Sequence, residues 1–290
     1  MAFTANDRKY DSRETPAYDN MRSIETITSR DNQRLKFARQ VRNGKDKAFI
    51  FIEGSRLADE ALRSELVITN CFAVDGSVAD KILGERRRGE IDIAEVPERL
   101  FDSIADTKQS QGVILIAERP STDKRSVISS NLLRTGVPIA VFLHEVNNPS
   151  NLGAVIRAAE AAGAAGIITS KRSADVFAPK ALRASMGSAF RMPIWASADL
   201  EEALSWASEN GMIITATDTT AAADHTDVDF KLPRLLIFGS EAHGLANIDP
   251  QLIEERVTIS MSSAVESLNL AVSAGVILFE AKRQIDAGRK

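Results

Sequence analysis

The chain is poor in the residues that most often carry metal or redox chemistry. Cys71 is the only cysteine among 290 residues, so no disulfide can form within the chain and no cysteine-built zinc site exists. This fits a reducing, cytoplasmic setting. His144, His225 and His243 are the only histidines, too few for a histidine-rich centre, and no metal is expected. No apolar run approaches the roughly 20 residues that span a bilayer, so no membrane partner is expected. The first residues lack the basic start and apolar core of a secretory signal. A dinucleotide fingerprint is missing as well. Gly163-Ala164-Ala165-Gly166 has the wrong spacing and precedes a strand, which argues against a nicotinamide-dependent dehydrogenase. Gly239-Ser240-Glu241 lacks the Gly-x-Ser-x-Gly spacing of a nucleophile elbow.

What the chain does have is an uneven distribution of charge. The formal net charge of -4 speaks weakly against a nucleic-acid partner, because affinity for phosphate backbones rests on Lys and Arg. Yet residues 30–47 carry Arg30, Arg34, Lys36, Arg39, Arg42, Lys45 and Lys47 against only Asp31 and Asp46, and Arg86, Arg87 and Arg88 follow as a second cluster. Beyond Pro138 the balance turns acidic. A basic first half and an acidic second half suggest divided labour. The other reading of residues 30–47 is a solvated helix face.

Hydrophobic patterning divides the chain. Residues 1–22 are polar and without periodicity, and are expected to be a mobile tail. Residues 23–118 alternate helix and strand signals. Residues 31–42 read as a helix with Leu35, Phe37, Ala38 and Val41 as its apolar positions. Residues 48–52, 67–74 and 112–117 read as strands, with a helix at 56–64. Residues 119–137, rich in Pro, Ser, Thr and charge, read as a linker with some structure around 127–133. Residues 138–290 contain continuous apolar runs at 139–143, 166–169, 212–215, 235–238 and 257–259. Runs that do not alternate suggest parallel strands covered on both faces. Helical segments at 152–162, 200–209 and 268–285 separate or follow them, which predicts a doubly wound α/β sheet. The last helix has Leu268, Val272, Gly275, Val276 and Phe279 at helical spacing, and that stripe is expected to pack on the sheet.

Three segments of this second half place glycine or small polar residues where a buried strand gives way, the edge at which open α/β sheets bind ligands. The first is Asn148-Pro149-Ser150-Asn151-Leu152-Gly153-Ala154-Val155-Ile156-Arg157. Pro149 suits a helix start, Asn148 or Asn151 can cap it, and Gly163 can end it. Gly153 lies one turn before Arg157, where a missing side chain would let a ligand or another chain approach the arginine. The alternative is a surface arginine paired with Glu160 at i+3. In the second segment, Phe238-Gly239-Ser240-Glu241-Ala242-His243-Gly244, two glycines bracket a loop able to offer backbone groups to a ligand. The third, Ser267-Leu268-Asn269, opens the last helix, and one of its two polar residues can be the cap.

Together the three segments resemble the SpoU (TrmH-type) RNA 2'-O-methyltransferases of the SPOUT superfamily. Asn-x-Gly-Ala-x-x-Arg stands at 151–157, Phe-Gly-x-Glu-x-x-Gly at 238–244 and Ser-Leu-Asn at 267–269. Residues 185–194 look like the family's intervening segment, and residues 27–118 more weakly resemble its substrate-binding domain. The resemblance implies a C-terminal parallel-sheet domain with a deep trefoil knot, a smaller N-terminal α/β RNA-binding domain, and a homodimer in which the last helix is an interface element. It implies S-adenosylmethionine as methyl donor, held near Thr217, Phe238, Gly239, Glu241, Gly244, Ile259, Met261 and Leu268. Catalysis would fall to Arg157 and Asn151, with Glu241, Ser267 and Asn269 holding the arginine and the donor. Arg30, Arg34, Lys36, Arg39, Arg42 and Arg56 would meet RNA, with ribosomal RNA preferred and tRNA open. An assembly or resistance factor that kept the fold but lost transfer is the alternative, against which the presence of all five catalytic positions argues.

Overall fold

A computed structural model describes residues 24–76, 79, 81, 91–128, 137–240, 244–246, 248–262 and 264–288. The expected tail at 1–22, the Arg86 to Arg88 cluster, part of the linker, Glu241 and His243 lie outside the described residues.

In the first unit, β1 (Glu25–Thr26), β2 (Phe49–Glu53), β3 (Ile68–Ala73), β4 (Asp92–Glu95) and β5 (Val113–Glu118) form one sheet in the order β1-β4-β3-β5-β2. β5 is antiparallel to β2 and β3, while β1 and β3 run parallel to β4. Helix α1 (Gln33–Arg42) starts where the Asn32 side chain accepts from the Arg34 amide at 2.8 Å, and it buries Leu35, Ala38 and Val41. Phe37, expected in the core, is half-buried and meets Phe49 edge-on. Helix α2 (Ser55–Arg63) buries Leu57, Ala58 and Ala61. A single turn, α3 (Glu98–Phe101), places Phe101 in the core with Leu35, Ala38 and Val41 of α1.

The second unit is an all-parallel sheet of β6 (Val137–Leu143), β7 (Ala164–Ser170), β8 (Ile194–Ala198), β9 (Ile213–Thr217), β10 (Ala223–Asp224), β11 (Arg234–Phe238) and β12 (Glu255–Thr258). Every residue of β6, β7 and β11 is buried, as their unbroken apolar runs require. The order is β10-β12-β9-β11-β6-β7-β8. The chain therefore steps outward from β6 to β8, crosses to begin again at β9, then fills the slot between β9 and β6 with β11 before leaving for β12. At this reversal the loops after β6 and β11 separate at one edge of the sheet, a topological switch point. Buried Arg234 locks the slot. Its Nη1 donates to Thr215 Oγ1 at 2.7 Å and to Glu255 Oε2 at 2.6 Å, and its Nη2 donates to the Asp229 carbonyl at 3.0 Å.

One expectation gains detail here and one is corrected. Residues 119–128 of the expected linker are docked on the sheet, and its structured part begins at Lys124. The Ala196 amide donates to the Thr122 carbonyl at 2.9 Å, and α4 (Lys124–Ile128) buries Val127 against Gly166 on β7. One apolar residue in a polar tract is enough to dock it. The final helix, α8 (Leu270–Gly288), also turns the other way from expectation. Ala274, Ile277, Leu278 and Ala281 are buried, whereas Val272, Val276 and Phe279 are 51%, 37% and 48% exposed. The helix is apolar on two faces, and the inner one packs beside α5 (Pro149–Ala162).

The two units share a core and a set of ion pairs. Arg119 Nη2 meets Asp175 Oδ1 at 2.5 Å beneath Lys47, and Arg183, on α6 (Pro179–Ser185), meets Asp106 at 2.7 Å. Arg191 is shared by Glu60 of α2, at 2.5 Å, and Glu160 of α5, at 2.6 Å. Helix α7 (Leu200–Glu209) covers the other face, with Trp206 edge-on to Trp195.

Candidate active site

At the switch point the chain ends of β9, β11 and β12 and the start of α8 enclose a cleft of about 780 Å³. That volume lies within the range of small-molecule sites. Its walls include Thr217, Phe238, Gly239, Gly244, Ile259, Met261, Ser267, Leu268 and Asn269, all expected from the sequence. Glu241 belongs to the loop between Gly239 and Gly244 and is outside the described residues.

The loop after β11 is closed by its own backbone. Ser240 and Gly244 exchange amide–carbonyl bonds of 3.1 and 2.8 Å. A Cβ on Gly239 would overlap the Gly244 carbonyl and sit 2.9 Å from its Cα, so only glycine lets the loop fold back this tightly. The segment after β12 is pinned from outside. The Ser260 hydroxyl and amide both donate to Asp224, and these bonds, with those from Thr226, hold that carboxyl far below its usual range. The opposite wall contains residues the sequence reading missed. Asp218 pairs with Arg256 at 2.8 Å, and the Thr220 amide and hydroxyl lower its pKa before the arginine adds to the effect. Ser273 and Ile277 of α8 complete the lining. The Asp218-Thr219-Thr220 turn after an apolar run was visible as a loop signal. Its union with Arg256, 38 positions on, was not.

The first segment approaches the same edge. The Asn148 side chain accepts from the Ser150 amide at 2.9 Å, Pro149 takes the first turn of α5, and Gly163 ends the helix at φ 82°. The preceding corner is built to hold this start. The His144 amide donates to the Phe238 carbonyl at 2.8 Å, which ties the ends of β6 and β11 together. Glu145 adopts φ 55°, its amide donates to Ser170 Oγ at 2.8 Å, and its carboxylate pairs with Arg172. A non-glycine residue in that conformation is strained and marks a constrained site. Burial keeps the imidazole of His144 below its ordinary pKa despite Glu145 beside it.

Asn269 joins the two halves. Its Oδ1 accepts from the Ala271 amide at 2.9 Å, which makes it the cap of α8, and its Nδ2 donates to Asn151 Oδ1 at 3.1 Å. Residues 118 positions apart are thereby fixed at one point of the cleft rim. Gly153 does something other than expected. A Cβ there would overlap the Ala181 carbonyl and lie 2.8 Å from Ala184 Cβ, so the glycine seats α6 on α5 and opens no path to a ligand. Arg157 is exposed, and among the described residues nothing bonds to it. The sequence pairing with Glu160 is overturned, because Arg191 grips that carboxylate with two bonds of 2.6 and 2.9 Å. Arg157 is not part of the cleft wall of its own chain.

Residues 138–279 match the SpoU rRNA methylase family, and residues 51–122 match the description RNA 2'-O ribose methyltransferase substrate binding. A 23S rRNA (uridine(2479)-2'-O)-methyltransferase of Streptomyces viridochromogenes is 33% identical over 203 residues, which cover 68% of this chain and 69% of the relative. The chain belongs to the SpoU family. The 23S rRNA (guanosine-2'-O-)-methyltransferase RlmB of Shewanella oneidensis is 30% identical over 64% of this chain and 76% of its own. Among solved structures, an AdoMet-bound rRNA methyltransferase from Sinorhizobium meliloti superposes with a TM-score of 0.74 at 30% identity, covering 90% of this chain and 98% of that one. The SpoU methyltransferase AviRb from S. viridochromogenes, in complex with AdoMet, gives 0.77 at 25% identity over 88% and 99%.

The basic face of α1 looks different in three dimensions. Arg34 is held by Glu25 and Asp92, Arg39 donates to the Arg30 carbonyl and Ser103, and Arg42 donates to the carbonyls of Ser103 and Ala105. Lys36 lies 3.8 Å from Asp31. These side chains spend their donors within the domain. Arg30 and Arg56 remain exposed, and among the described residues their side chains make no such bonds.

Proposed function

We propose that this SpoU-family protein is an RNA 2'-O-methyltransferase that transfers the methyl group of S-adenosylmethionine to a ribose hydroxyl, in ribosomal RNA ahead of tRNA. The observation that carries this is the cleft itself. The chain ends of β9, β11 and β12 and the start of α8 meet there, with Asn151 bonded to Asn269 beside them, and this supports a pocket for a methyl donor. The cleft suits that donor chemically. Apolar Ile259, Met261, Leu268 and Ile277 would face a flat heterocycle, and the backbone of Gly239, Ser240, Gly244, Thr258, Ile259 and Met261 would offer polar groups to its edge.

The bound sulfonium supplies a strongly electrophilic methyl group, and no metal is needed. What remains for the protein is alignment of the ribose oxygen and removal of its proton. Asn269, held at both ends of its amide, positions Asn151 at the rim. A guanidinium stays protonated and is poorly suited to take a proton, so Arg157 serves as a clamp on the adjoining phosphate and the hydroxyl while the proton leaves to solvent water. Its absence from the cleft of its own chain supports a site completed by a second copy. Val272, Val276 and Phe279, spaced i, i+4 and i+7 along α8, form an exposed apolar stripe suited to a homodimer contact. The placement of β11 in the slot between β9 and β6, followed by the return of α8 to α5, supports a C-terminal segment threaded as a knot. The unit at 23–118 serves as the RNA-binding domain.

The test is transfer of a labelled methyl group from S-adenosylmethionine to separated ribosomal RNA and tRNA. Wild-type protein should label a ribose 2' position, and Arg157→Ala should lose transfer while binding the donor with nearly unchanged affinity. Donor binding with no transfer to any RNA would instead make the protein an inactive RNA-binding factor.

A further inference from the structure

We infer that the RNA backbone runs along the seam between the two units, over Arg56, Lys108, Lys180 and Arg157, and not over the α1 face. The inference rests on the proposed methyl-transfer reading and locates its substrate surface.

The bridge Glu60–Arg191–Glu160 fixes α2 and α5 side by side. Arg56 precedes Glu60 by four residues, and Arg157 precedes Glu160 by three, so each arginine stands about one turn before the bridge on its own helix. The amino-terminal ends of both helices lie on the same side of that bridge. The end of α2 touches the loop at 106–111, where Ser55 donates to Gln111 Oε1 at 2.9 Å, and that loop is tied to α6 by Arg183 and Asp106. The start of α6 is tied to the start of α5, since the Ala174 amide donates to the Val146 carbonyl at 2.9 Å. Lys108 lies two residues beyond Asp106. Lys180 lies one turn before Arg183 and Ala184, the latter seated at Gly153.

All four cations are exposed, and among the described residues none forms an ion pair. The acids at the seam are spent: Glu60, Glu160, Asp106 and Glu53 already face Arg191 or Arg183. Asp59 of α2 has no ion pair among the described residues. The α1 arginines, by contrast, give their donors to carbonyls and acids of their own domain. A row of free cations that leads toward the Asn151–Asn269 rim fits a phosphodiester backbone, because each phosphate neutralised releases counterions.

The experiment compares the full-length protein with the triple variant Arg56→Ala, Lys108→Ala, Lys180→Ala and with Arg30→Ala, Lys36→Ala. The probe is protein-free large-subunit ribosomal RNA, with binding measured from 50 to 300 mM NaCl and donor affinity measured in parallel. The triple variant should lose about tenfold or more in RNA affinity at low salt and flatten the log–log salt slope by about 2, at roughly 0.7 per phosphate contact, with donor affinity unchanged. An unchanged slope in the triple variant, or a larger loss in the α1 variant, overturns the seam while leaving methyl transfer by the wild type intact. If the wild type binds the donor but neither binds nor methylates RNA, the function reading falls first and the seam with it.

Discussion

Replacing Gly153 by alanine tests how α5 is seated, and with it the position of Asn151. The added Cβ would lie 2.8 Å from Ala184 Cβ and overlap the Ala181 carbonyl. Ordinary carbon contacts fall near 3.5–4.0 Å, so α6 must retreat by about 1 Å. The obstacle is backbone, which cannot swing aside as a flexible side chain can. Overpacking of this kind costs about 1–3 kcal/mol, and alanine returns about 1 kcal/mol of helix propensity. Taking the upper part of the first range, Gly153→Ala should destabilise the domain by about 1–2 kcal/mol and lower its melting temperature by about 2–8 °C. Because α5 also carries Asn151, donor affinity should fall with it. Calorimetric melting with and without S-adenosylmethionine reads both. If Gly153 instead leaves room for a ligand, alanine would raise the melting temperature through helix propensity and weaken RNA binding alone. That outcome would refute the packing argument.

Three further changes probe separate features. Asn269→Asp keeps an oxygen to cap α8 but cannot donate to Asn151, so it should melt near the wild-type temperature while transfer falls; Asn269→Ala should lose both, with about 1 kcal/mol of capping. Val272→Glu combined with Phe279→Glu should yield a folded monomer by light scattering with little transfer activity, and a persistent dimer would place the interface elsewhere. Arg191→Ala removes the hydrogen bonds that hold the Glu160 carboxyl below its ordinary pKa. A depressed carboxylate stabilises the fold above its unfolded pKa of about 4.3 and loses that contribution as pH falls, so the gap in urea midpoint between wild type and variant should be full at pH 7 and narrow toward pH 3.

The strands of the catalytic unit were legible because they are covered on both faces, which forces unbroken apolar runs such as Ile139-Ala140-Val141-Phe142-Leu143. The short edge strands β1 and β10 hold two residues each, too few for any pattern to show. The helix caps were legible too, since Asn148, Pro149 and Gly163 act through local backbone chemistry. What failed was everything set by distant partners. Periodicity picked out the Val272, Val276 and Phe279 stripe of α8, but the face that meets α5 carries Ala274, Ile277, Leu278 and Ala281. Nothing local to Arg39 or Arg42 signals that the Ser103 hydroxyl and the carbonyls of Ser103 and Ala105 will take their donors. Glu160 is three residues from Arg157 and was its natural partner by spacing, yet Arg191, 31 residues on, arrives with two bonds and takes it. The pairing that spacing proposed was lost to tertiary geometry, and Arg157 is left exposed.

The order of the sheet explains why the site depends on the last part of the chain. With β11 in the slot between β9 and β6, the loops after β6, β9, β11 and β12 reach one edge, where those after β9, β11 and β12 form only part of the cleft wall. The rest is the segment from Ser267 to Ile277, which stays in place because Asn269 caps α8 while bonding Asn151 and because Ile277 and Leu278 bury beside α5. Cleft and C-terminal docking are therefore a single event. A ligand that binds only the assembled cleft must stabilise that docking by mass action, in proportion to its concentration over its dissociation constant. If the cleft holds the methyl donor as proposed, the donor is a brace for α8 as well as a reagent, and donor saturation should also firm the exposed stripe of Val272, Val276 and Phe279.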